Sequence, residues 1–383
     1  MRIRSLELKR FKRFHHLRIE IPDGVKLVIL AGPNGSGKSS LFEAFRYWHE
    51  MQAGRGLQWD ASFYPKAGEP DALAMGWNQQ IDIQFYEEPP PDRVVRRKVF
   101  YMRSAYRNDP QFRAGALSRQ GPATEERRFE RMIDNDAAVA LNYQRLASQA
   151  LEDALANEPD TTTLGEFRDR VIGDIRRSME RVFPDLLLHD LGNPLTGGTF
   201  RFDKGTSCNF LYQNLSGGEK AAFDLLLDMV VKRREFDGTV FCVDEPEAHM
   251  NTGLQAALLE ELVQVLPAKS QLWLATHSIG MMRRARVIER QSPGTAVFLD
   301  FSELDFDKPQ TIAPAQTGRA FWERSLNIAL DDLSNLVAPN RVVVCEGAPV
   351  GHPSKNTGHD AACYTSSLNL SSRIPRSFQR ATP

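Results

Sequence analysis

The sequence lacks the features that mark several classes of protein. Its cysteines, Cys208, Cys242, Cys345 and Cys363, form no Cys-x-x-Cys pair, so neither a zinc site nor a redox motif is supported. No apolar run approaches the roughly 20 residues of a transmembrane helix, and the opening MRIRSLELKRF lacks the hydrophobic region of a signal peptide. We therefore predict a cytoplasmic protein with no membrane partner.

An excess of charge of either sign is also lacking. The 48 Lys and Arg residues nearly balance the 49 Asp and Glu residues, which leaves a net charge of −1. The chain as a whole is therefore not attracted to nucleic acid or to a membrane, and any such attraction must be local. With 42% hydrophobic and 25% charged residues, the composition is that of a soluble globular protein.

The apolar pattern predicts an α/β fold. Three β segments, IRSLEL, HLRIEI and VKLVILA, precede a glycine-rich turn and the helix LFEAFRYWHEM. Further strands are predicted between residues 76 and 107, helices across 124–187 including ERRFERMI, and a hairpin-like piece at 186–212. Beyond these we predict helices at 218–235, 252–266, after Ser278 and at 321–337, with strands at 239–243 and 271–275.

The glycine-rich turn fits the pattern G-x-x-x-x-G-K-[ST] between a buried strand and a helix. In such a loop, backbone N–H groups turn inward around phosphates, the lysine reaches the β- and γ-phosphates, and the hydroxyl ligates Mg²⁺. The residues of this candidate nucleotide site are Gly32, Asn34, Gly35, Ser36, Gly37, Lys38, Ser39 and Ser40.

Two later strands end in residues that suit phosphate chemistry. TVFCV runs into Asp244 and Glu245, of which the first can support Mg²⁺ and the second can polarise an attacking water. LWLAT runs into His277, whose imidazole can donate a hydrogen bond to a γ-phosphate. Either strand end alone is a weak signal, but together with the loop they form an ordered set.

The segment NLSGGEK opens another helix. Ser216 and Glu219 occupy the positions of a capping box, so a well-capped helix is one interpretation. The other is a second anion site formed by the Ser216 hydroxyl, the amides of Gly217 and Gly218, and the helix N-terminus. Such a site would cap the γ-phosphate held by a partner subunit.

Taken together, GPNGSGKSS, LSGGEK, VFCVDEPEAHM and ATHS resemble the head of ATP-binding-cassette ATPases. The opening LELKRFKRFHHLRIEI is similar to the β-lobe of the soluble SMC/RecF/OLD-like branch, and DEPEAHM with ATHS is similar to its OLD-type and anti-phage members. The resemblance covers roughly residues 1–300. It implies a P-loop NTPase fold of the ABC type, with an N-terminal antiparallel β-lobe and a helical insertion.

The resemblance also implies roles for single residues. Lys38, Ser39 and Asp244 would hold ATP and Mg²⁺, Glu245 would be the catalytic carboxylate, and His277 would sense the γ-phosphate. Ser216, Gly217 and Gly218 would act in trans across a head-to-head homodimer. Lys12 and Arg13 are candidate phosphate contacts, and Gln80 is the candidate glutamine ligand of the metal, with Gln79 and Gln111 as alternatives.

Ser216 follows Lys38 by 178 residues, which is too short for long coiled-coil arms and fits a compact helical insertion at about 120–190. We therefore predict an ATPase head over 1–338.

Residues 93–123 carry seven Arg and one Lys against a single acid, with aromatic residues between them. This stretch is either a nucleic-acid surface or a solvated strand and loop; the candidate DNA contacts are Arg96, Arg97, Lys98, Arg103 and Arg107.

The C-terminal part resembles the start of a toprim domain. In VVVCEG, Glu346 matches the first catalytic strand, and Asp360 matches a following helix start. No Asp-x-Asp element follows, so 339–364 is interpreted as an incomplete toprim-like start and 365–383 as an unstructured tail. We therefore predict that this chain alone does not cleave DNA.

Three whole-protein hypotheses follow from these observations. The first is an ATP-driven switch in DNA repair or anti-phage defence, acting with DNA or an effector nuclease. The second is the nucleotide-binding subunit of a transporter, which shares the motifs but needs a membrane partner. The third is an OLD-like ATPase–nuclease in an untruncated form.

Overall fold

The computed structural model describes residues 1–107, 110–112, 118–136, 138–156, 161–194, 198–247, 249–318, 321, 322 and 324. Its strands are β1 (Ile3–Phe11), β2 (Phe14–Glu20), β3 (Leu27–Ala31), β4 (Ile81–Phe85), β5 (Phe100–Arg103), β6 (Leu186–Asp190), β7 (Arg201–Lys204), β8 (Ser207–Leu211), β9 (Val240–Asp244), β10 (Gln271–Thr276), β11 (Ala296–Asp300) and β12 (Pro309–Ile312). Its helices are α1 (Lys38–Gln52), α2 (Pro70–Ala74), α3 (Trp77–Gln80), α4 (Arg93–Arg96), α5 (Leu141–Ala156), α6 (Leu164–Val182), α7 (Gly217–Lys232), α8 (Thr252–Val265) and α9 (Ile279–Gln291).

A five-stranded parallel sheet with the order β11-β3-β10-β9-β5 forms the centre. Its strands are continuous apolar runs because both faces are covered. In β3, Leu27 and Ile29 pack into one hydrophobic core, while Val28 and Leu30 pack into the other. The carboxyl ends of β3, β9 and β10 therefore meet at one edge of the sheet.

The predicted N-terminal β-lobe is confirmed as a four-stranded sheet with the order β12-β2-β1-β4. β1 pairs antiparallel with both β2 and β4, and β12 joins parallel to β2. Leu6 and Leu8 of β1 and Leu17 and Ile19 of β2 are buried, because alternate side chains of each strand face the core shared with α1. The predicted fold class is thus confirmed.

α5 and α6 lie within the range predicted for the helical insertion, and an antiparallel sheet of β6, β7 and β8 follows them. Together with α7, α8 and α9 they surround the hydrophobic core that contains Leu27 and Ile29. Among the helices that the structure describes, none has the length and apolar character needed to cross a bilayer.

Two predicted elements differ in the structure. ERRFERMI was expected to be helical but is irregular after a short turn at 123–125, because its charges face inward. The Glu126 carboxylate lies 2.6 Å from Arg145 Nη2 and 2.5 Å from Lys232 Nζ. Arg128 Nη1 lies 2.7 Å from Asp228 Oδ2. RVVR lies in the range 76–107, where further strands were predicted, but forms the short helix α4, whose N-terminus is capped by the Asp92 carboxylate.

The C-terminal predictions fall on residues that are not described. The toprim-like segment 339–364, with Glu346 and Asp360, and the tail 365–383 lie outside the described residues. The helix predicted at 321–337 is described only at residues 321, 322 and 324.

Candidate functional site

The glycine-rich loop lies between β3 and α1, as predicted. Gly35 and Gly37 have φ angles of 77° and 94°, in the left-handed region that favours glycine. A Cβ atom at Gly37 would lie 2.7 Å from Cζ of Phe14, so that position also lacks room for a side chain. Asn34 and Gly35 form the exposed tip of the loop, whereas Gly32 and Ser36 are buried and Ser40 is half-buried on α1.

Lys38 folds back onto the loop. Its Nζ donates to the carbonyl oxygens of Gly32 at 2.7 Å and Pro33 at 2.8 Å. Burial lowers the pKa of this ammonium, and Asp244 opposes the shift. Because hydrogen bonds between two charged groups are stronger than those to neutral carbonyls, an anion in the loop would compete well for Lys38.

Ser39 and Asp244 meet at the start of α1 and the end of β9. Ser39 Oγ donates to Asp244 Oδ2 at 2.7 Å, and burial raises the pKa of Asp244 to about 6. Among the described residues, the buried Asp244 Oδ1 has no hydrogen-bond partner. A hydroxyl beside a carboxylate with a spare oxygen fits Mg²⁺, which commonly takes one or two carboxylates and completes its shell with phosphates and water.

Glu245 and His277 are brought together by the neighbouring strands β9 and β10. The Glu245 N–H donates to the Ala275 carbonyl at 2.9 Å, and His277 Nδ1 lies 3.7 Å from Glu245 Oε1. Both side chains remain partly exposed, at 36% for Glu245 and 50% for His277. A carboxylate and an imidazole therefore face solvent beside the Ser39–Asp244 pair.

Two participants were not assigned to this site from the sequence. Glu247 is buried, and its carboxylate accepts from Thr276 Oγ1 at 2.6 Å and from the His277 N–H at 3.1 Å. Arg107 reaches the carbonyls of Asp244 and Glu245 from the segment after β5. Glu247 is the third acid of DEPE, so its signal was visible, whereas the position of Arg107 depends on the parallel pairing of β5 with β9.

The signature segment opens α7 with a complete capping box. The Ser216 N–H donates to Glu219 Oε2 at 2.8 Å, and the Glu219 N–H donates to Ser216 Oγ at 3.4 Å. Ser216 and Gly217 are exposed. A Cβ atom at Gly218 would lie 2.8 Å from the His249 carbonyl oxygen, so this glycine permits close contact with the segment after β9.

The two basic residues after Phe11 lie in different surroundings. Arg13 donates to the Gly35 carbonyl, and its guanidinium lies 4.0 Å from the centroid of the Phe306 ring. Lys12 packs on Phe63 instead, with Nζ 2.6 Å from the ring centroid, and burial lowers its pKa to about 8. The structure therefore brings Arg13 to the phosphate loop and places Lys12 against an aromatic ring.

Gln80 does not lie at the metal site, so this prediction is wrong. Its amide is buried and donates to the carbonyls of Ala72 at 3.0 Å and Arg10 at 3.3 Å, which holds it beside the β-lobe. Of the alternatives, Gln79 contributes to the cap of α3 by accepting from the Gly76 N–H, and Gln111 is exposed.

In the described part of the basic stretch, which lacks 108–109 and 113–117, several of the candidate nucleic-acid contacts bond to the protein itself. Arg103 is fully buried, with Nε 2.7 Å from Asp136 and Nη1 2.9 Å from Asp228, so its assignment as a nucleic-acid contact is wrong. Arg107 is partly buried and donates to backbone carbonyls. Of the aromatic residues in this stretch, Phe100, Tyr101 and Phe112 are buried and cannot stack on bases, whereas Tyr106 is exposed. Arg96 bonds Gln52 and the Pro90 carbonyl, Arg97 bonds Glu125, and Lys98 is half-buried.

Comparisons with known proteins agree with this architecture. A family model described as "AAA domain, putative AbiEii toxin, Type IV TA system" matches residues 27–283, and a second described as "AAA domain" matches residues 1–49. Over 45 residues the chain is 56% identical to the DNA replication and repair protein RecF of Thermomicrobium roseum, a match that covers 12% of this chain and 11% of that protein.

Solved structures with low sequence identity also match. The SMC head domain from Thermotoga maritima has 14% identity and a TM-score of 0.41, covering 83% of this chain and 100% of that one. An Smc head with an extended coiled coil, bound to a ScpA domain derived from Pyrococcus furiosus, has 15% identity and a TM-score of 0.42 over 88% and 99%. Because the first family model spans more than half of the chain, the protein belongs to the AAA-domain family that this model describes.

Proposed function

We propose that this chain is an ATP-hydrolysing switch whose two copies close head to head over ATP and Mg²⁺. The observation that carries the proposal is the Ser39–Asp244 pair, 2.7 Å apart, at the mouth of the glycine-rich loop. At the same sheet edge, Glu245 lies beside His277. Groups suited to binding phosphate, binding a metal ion and activating water thus lie at the same edge of the parallel sheet.

Each group has a proposed role. Lys38 and the loop amides hold the β- and γ-phosphates, while Ser39 and Asp244 hold Mg²⁺, which would neutralise charge on the phosphate oxygens. Glu245 orients the attacking water and takes its proton, and His277 donates to the γ-phosphate. Arg13, which reaches Gly35 at the loop tip, is positioned to add a further phosphate contact.

Ser216, Gly217 and Gly218 are proposed to cap the γ-phosphate of a second copy. The exposure of Ser216 and Gly217 supports this, since the hydroxyl and the helix N-terminus face solvent in the single chain. The cap would be incomplete without ATP, so nucleotide would link the two copies and hydrolysis would release them.

The test is the substitution Glu245→Gln, which keeps the side-chain shape and removes the base. We expect kcat for ATP hydrolysis to fall about 100-fold or more, because general-base catalysis contributes that much. ATP should still bind, so the variant should elute as a dimer in size-exclusion chromatography with MgATP and as a monomer without it.

Glu152→Gln is the matched control, because Glu152 is an exposed carboxylate on α5. It should leave both turnover and elution unchanged. Wild-type turnover by Glu245→Gln, with no nucleotide-dependent dimer, would contradict the proposal.

For the cellular role, we propose DNA repair or anti-phage defence, with DNA or an effector nuclease as partner. The match to a DNA replication and repair protein supports the first. The second rests on the resemblance of DEPEAHM and ATHS to anti-phage members. Measuring ATP turnover with and without duplex DNA separates the two kinds of partner: stimulation supports DNA as the ligand, and its absence favours a protein partner.

A further inference from the structure

Arg107 makes an unusual set of contacts beside the proposed catalytic carboxylate. Its Nη1 donates to the carbonyls of Ser104 at 2.9 Å and Asp244 at 3.0 Å, and its Nη2 donates to the Glu245 carbonyl at 2.5 Å. One guanidinium therefore connects Ser104, just after β5, to the last residue of β9 and the residue that follows it. A guanidinium suits such a bridge, because its planar, fixed N–H donors hold two acceptors in a defined geometry.

The backbone that Arg107 holds is strained. Glu245 has a φ of +45°, in the left-handed region that residues with a side chain rarely adopt. It also precedes Pro246, and the residue before a proline is restricted to extended conformations. Such a conformation persists only when neighbouring groups fix it. Within the described residues, the Glu245 N–H donates to the Ala275 carbonyl and the Glu245 carbonyl accepts from Arg107.

The electrostatic setting separates Arg107 from an ordinary structural arginine. Arg103, four residues earlier, lies between two carboxylates that raise its pKa. Burial instead lowers the pKa of Arg107 to about 10, with Arg103 adding to the shift. In the part of the chain that the structure describes, the hydrogen-bond acceptors of Arg107 are carbonyl oxygens. A partly buried cation is thus held within the field of Asp136, Glu247 and Asp244, while its described hydrogen bonds go to carbonyl oxygens.

We propose that Arg107 is a positioning residue that clamps the Asp244 and Glu245 carbonyls and so fixes the Glu245 carboxylate for catalysis. This inference rests on the proposed ATPase function. Without the clamp, Glu245 can relax toward negative φ, which moves its carboxylate away from the water that it must orient. Nucleotide binding would be largely kept, because Lys38 is held by the loop carbonyls and the Asp244 side chain keeps its bond from Ser39.

The experiment compares kcat and KM for MgATP in wild type and Arg107→Met, which keeps much of the side-chain length but has no donors. We expect kcat to fall about 100-fold, the loss typical of a misplacement of about 1 Å. KM should change by no more than about threefold, since ground-state binding is retained. Arg107→Lys should fall between them, because a lysine cannot bridge both carbonyls with one fixed fork.

Chemical rescue provides the readout that a merely structural role would not move. Millimolar guanidinium added to Arg107→Ala should restore part of kcat without changing KM. Arg176 is the matched control: its guanidinium also donates to two carbonyls, of Leu188 at 2.8 Å and His189 at 3.1 Å, but on α6. Arg176→Met should keep wild-type kcat, and guanidinium should not affect it.

Several outcomes would overturn the inference. They are an unchanged kcat in Arg107→Met, a loss that appears in KM alone, or a failure of guanidinium to restore Arg107→Ala. Should the methionine variant not fold, Arg107→Lys and the rescued alanine variant decide in its place. Failure of the proposed function is distinguishable, because the wild type itself would then not hydrolyse ATP.

Discussion

At the scale of single residues, the chain buries ionisable groups in two ways. Arg103 is fully buried but paired with Asp136 and Asp228, so its charged form is stabilised. Lys38 and Asp244 are also buried, and burial shifts the pKa of each toward the neutral form. Shifts of the second kind are typical of ligand sites, where a bound phosphate or cation supplies the missing charge.

His49 provides a prediction for stability against pH. Its ring on α1 is buried beside the Arg96 and Arg97 carbonyls, and burial, with Arg55 adding to it, lowers its pKa to about 3. The unfolded chain binds a proton near the ordinary pKa of 6.5, whereas the folded chain does so only near 3. The stability that neutral His49 contributes is therefore complete above pH 6.5 and is lost as the pH falls toward 3.

At pH 5 this loss amounts to about 2 kcal/mol of the free energy of unfolding. Urea unfolding of wild type and His49→Gln at pH 7 and pH 5 measures it. Glutamine keeps a donor for the two carbonyls but does not titrate, so the variant should lose about 2 kcal/mol less than wild type. Equal losses in both proteins would rule out His49 as the source.

At the scale of elements, two helices begin with the same local chemistry. In α6, the Thr163 N–H donates to Glu166 at 2.9 Å and the Glu166 N–H donates back at 3.3 Å. In α7, the corresponding distances for Ser216 and Glu219 are 2.8 Å and 3.4 Å. What differs is the setting, since Ser216 is followed by the glycine pair against His249.

This pair of helices separates capping from a role in trans. Ser216→Ala and Thr163→Ala should each lower the free energy of unfolding by about 1 kcal/mol, the usual cost of losing an N-cap. Only Ser216→Ala should also reduce ATP turnover and the MgATP-dependent dimer. Thermal unfolding and phosphate release measure the two effects, and equal turnover in the two variants would leave Ser216 as a helix cap alone.

At the scale of the whole molecule, the parallel sheet divides the chain into two cores and gathers the chemistry at one edge. β3 delivers the loop with Lys38, β9 delivers Asp244 and Glu245, and β10 delivers His277. The signature segment opens α7 with its hydroxyl exposed. A complete site of the proposed kind therefore requires two copies related by a two-fold axis.

Mixing two inactive variants tests this arrangement. Lys38→Met removes the phosphate lysine, and Ser216→Arg blocks the signature segment, so each homodimer has two defective sites. A heterodimer has one intact site, and random mixing should restore about a quarter of wild-type turnover. Phosphate release from the equimolar mixture is compared with each variant alone. A mixture no more active than its components would contradict action in trans.

Much of the fold was predictable because its signals are local. The alternation in IRSLEL and HLRIEI, the apolar run before Gly32 and the helical spacing after Ser39 each depend on a few neighbouring residues. The helix predicted for ERRFERMI was wrong: its apolar spacing suits a helix, but its charged side chains form ion pairs with residues of α5 and α7. Such pairs join residues distant in sequence, so no local pattern reveals them.

The sequence by itself determined the phosphate loop, the strands that carry Asp244 and His277, and the capped start of α7, because strand periodicity and glycine spacing act over short distances. Only the tertiary structure decided which basic and amide side chains face the site. Arg103 and Arg107 lie four residues apart, yet one forms buried ion pairs with Asp136 and Asp228 and the other holds the Glu245 backbone. The physical reason is that burial and partner distance, which fix what a charge does, arise from strand pairing across the whole chain.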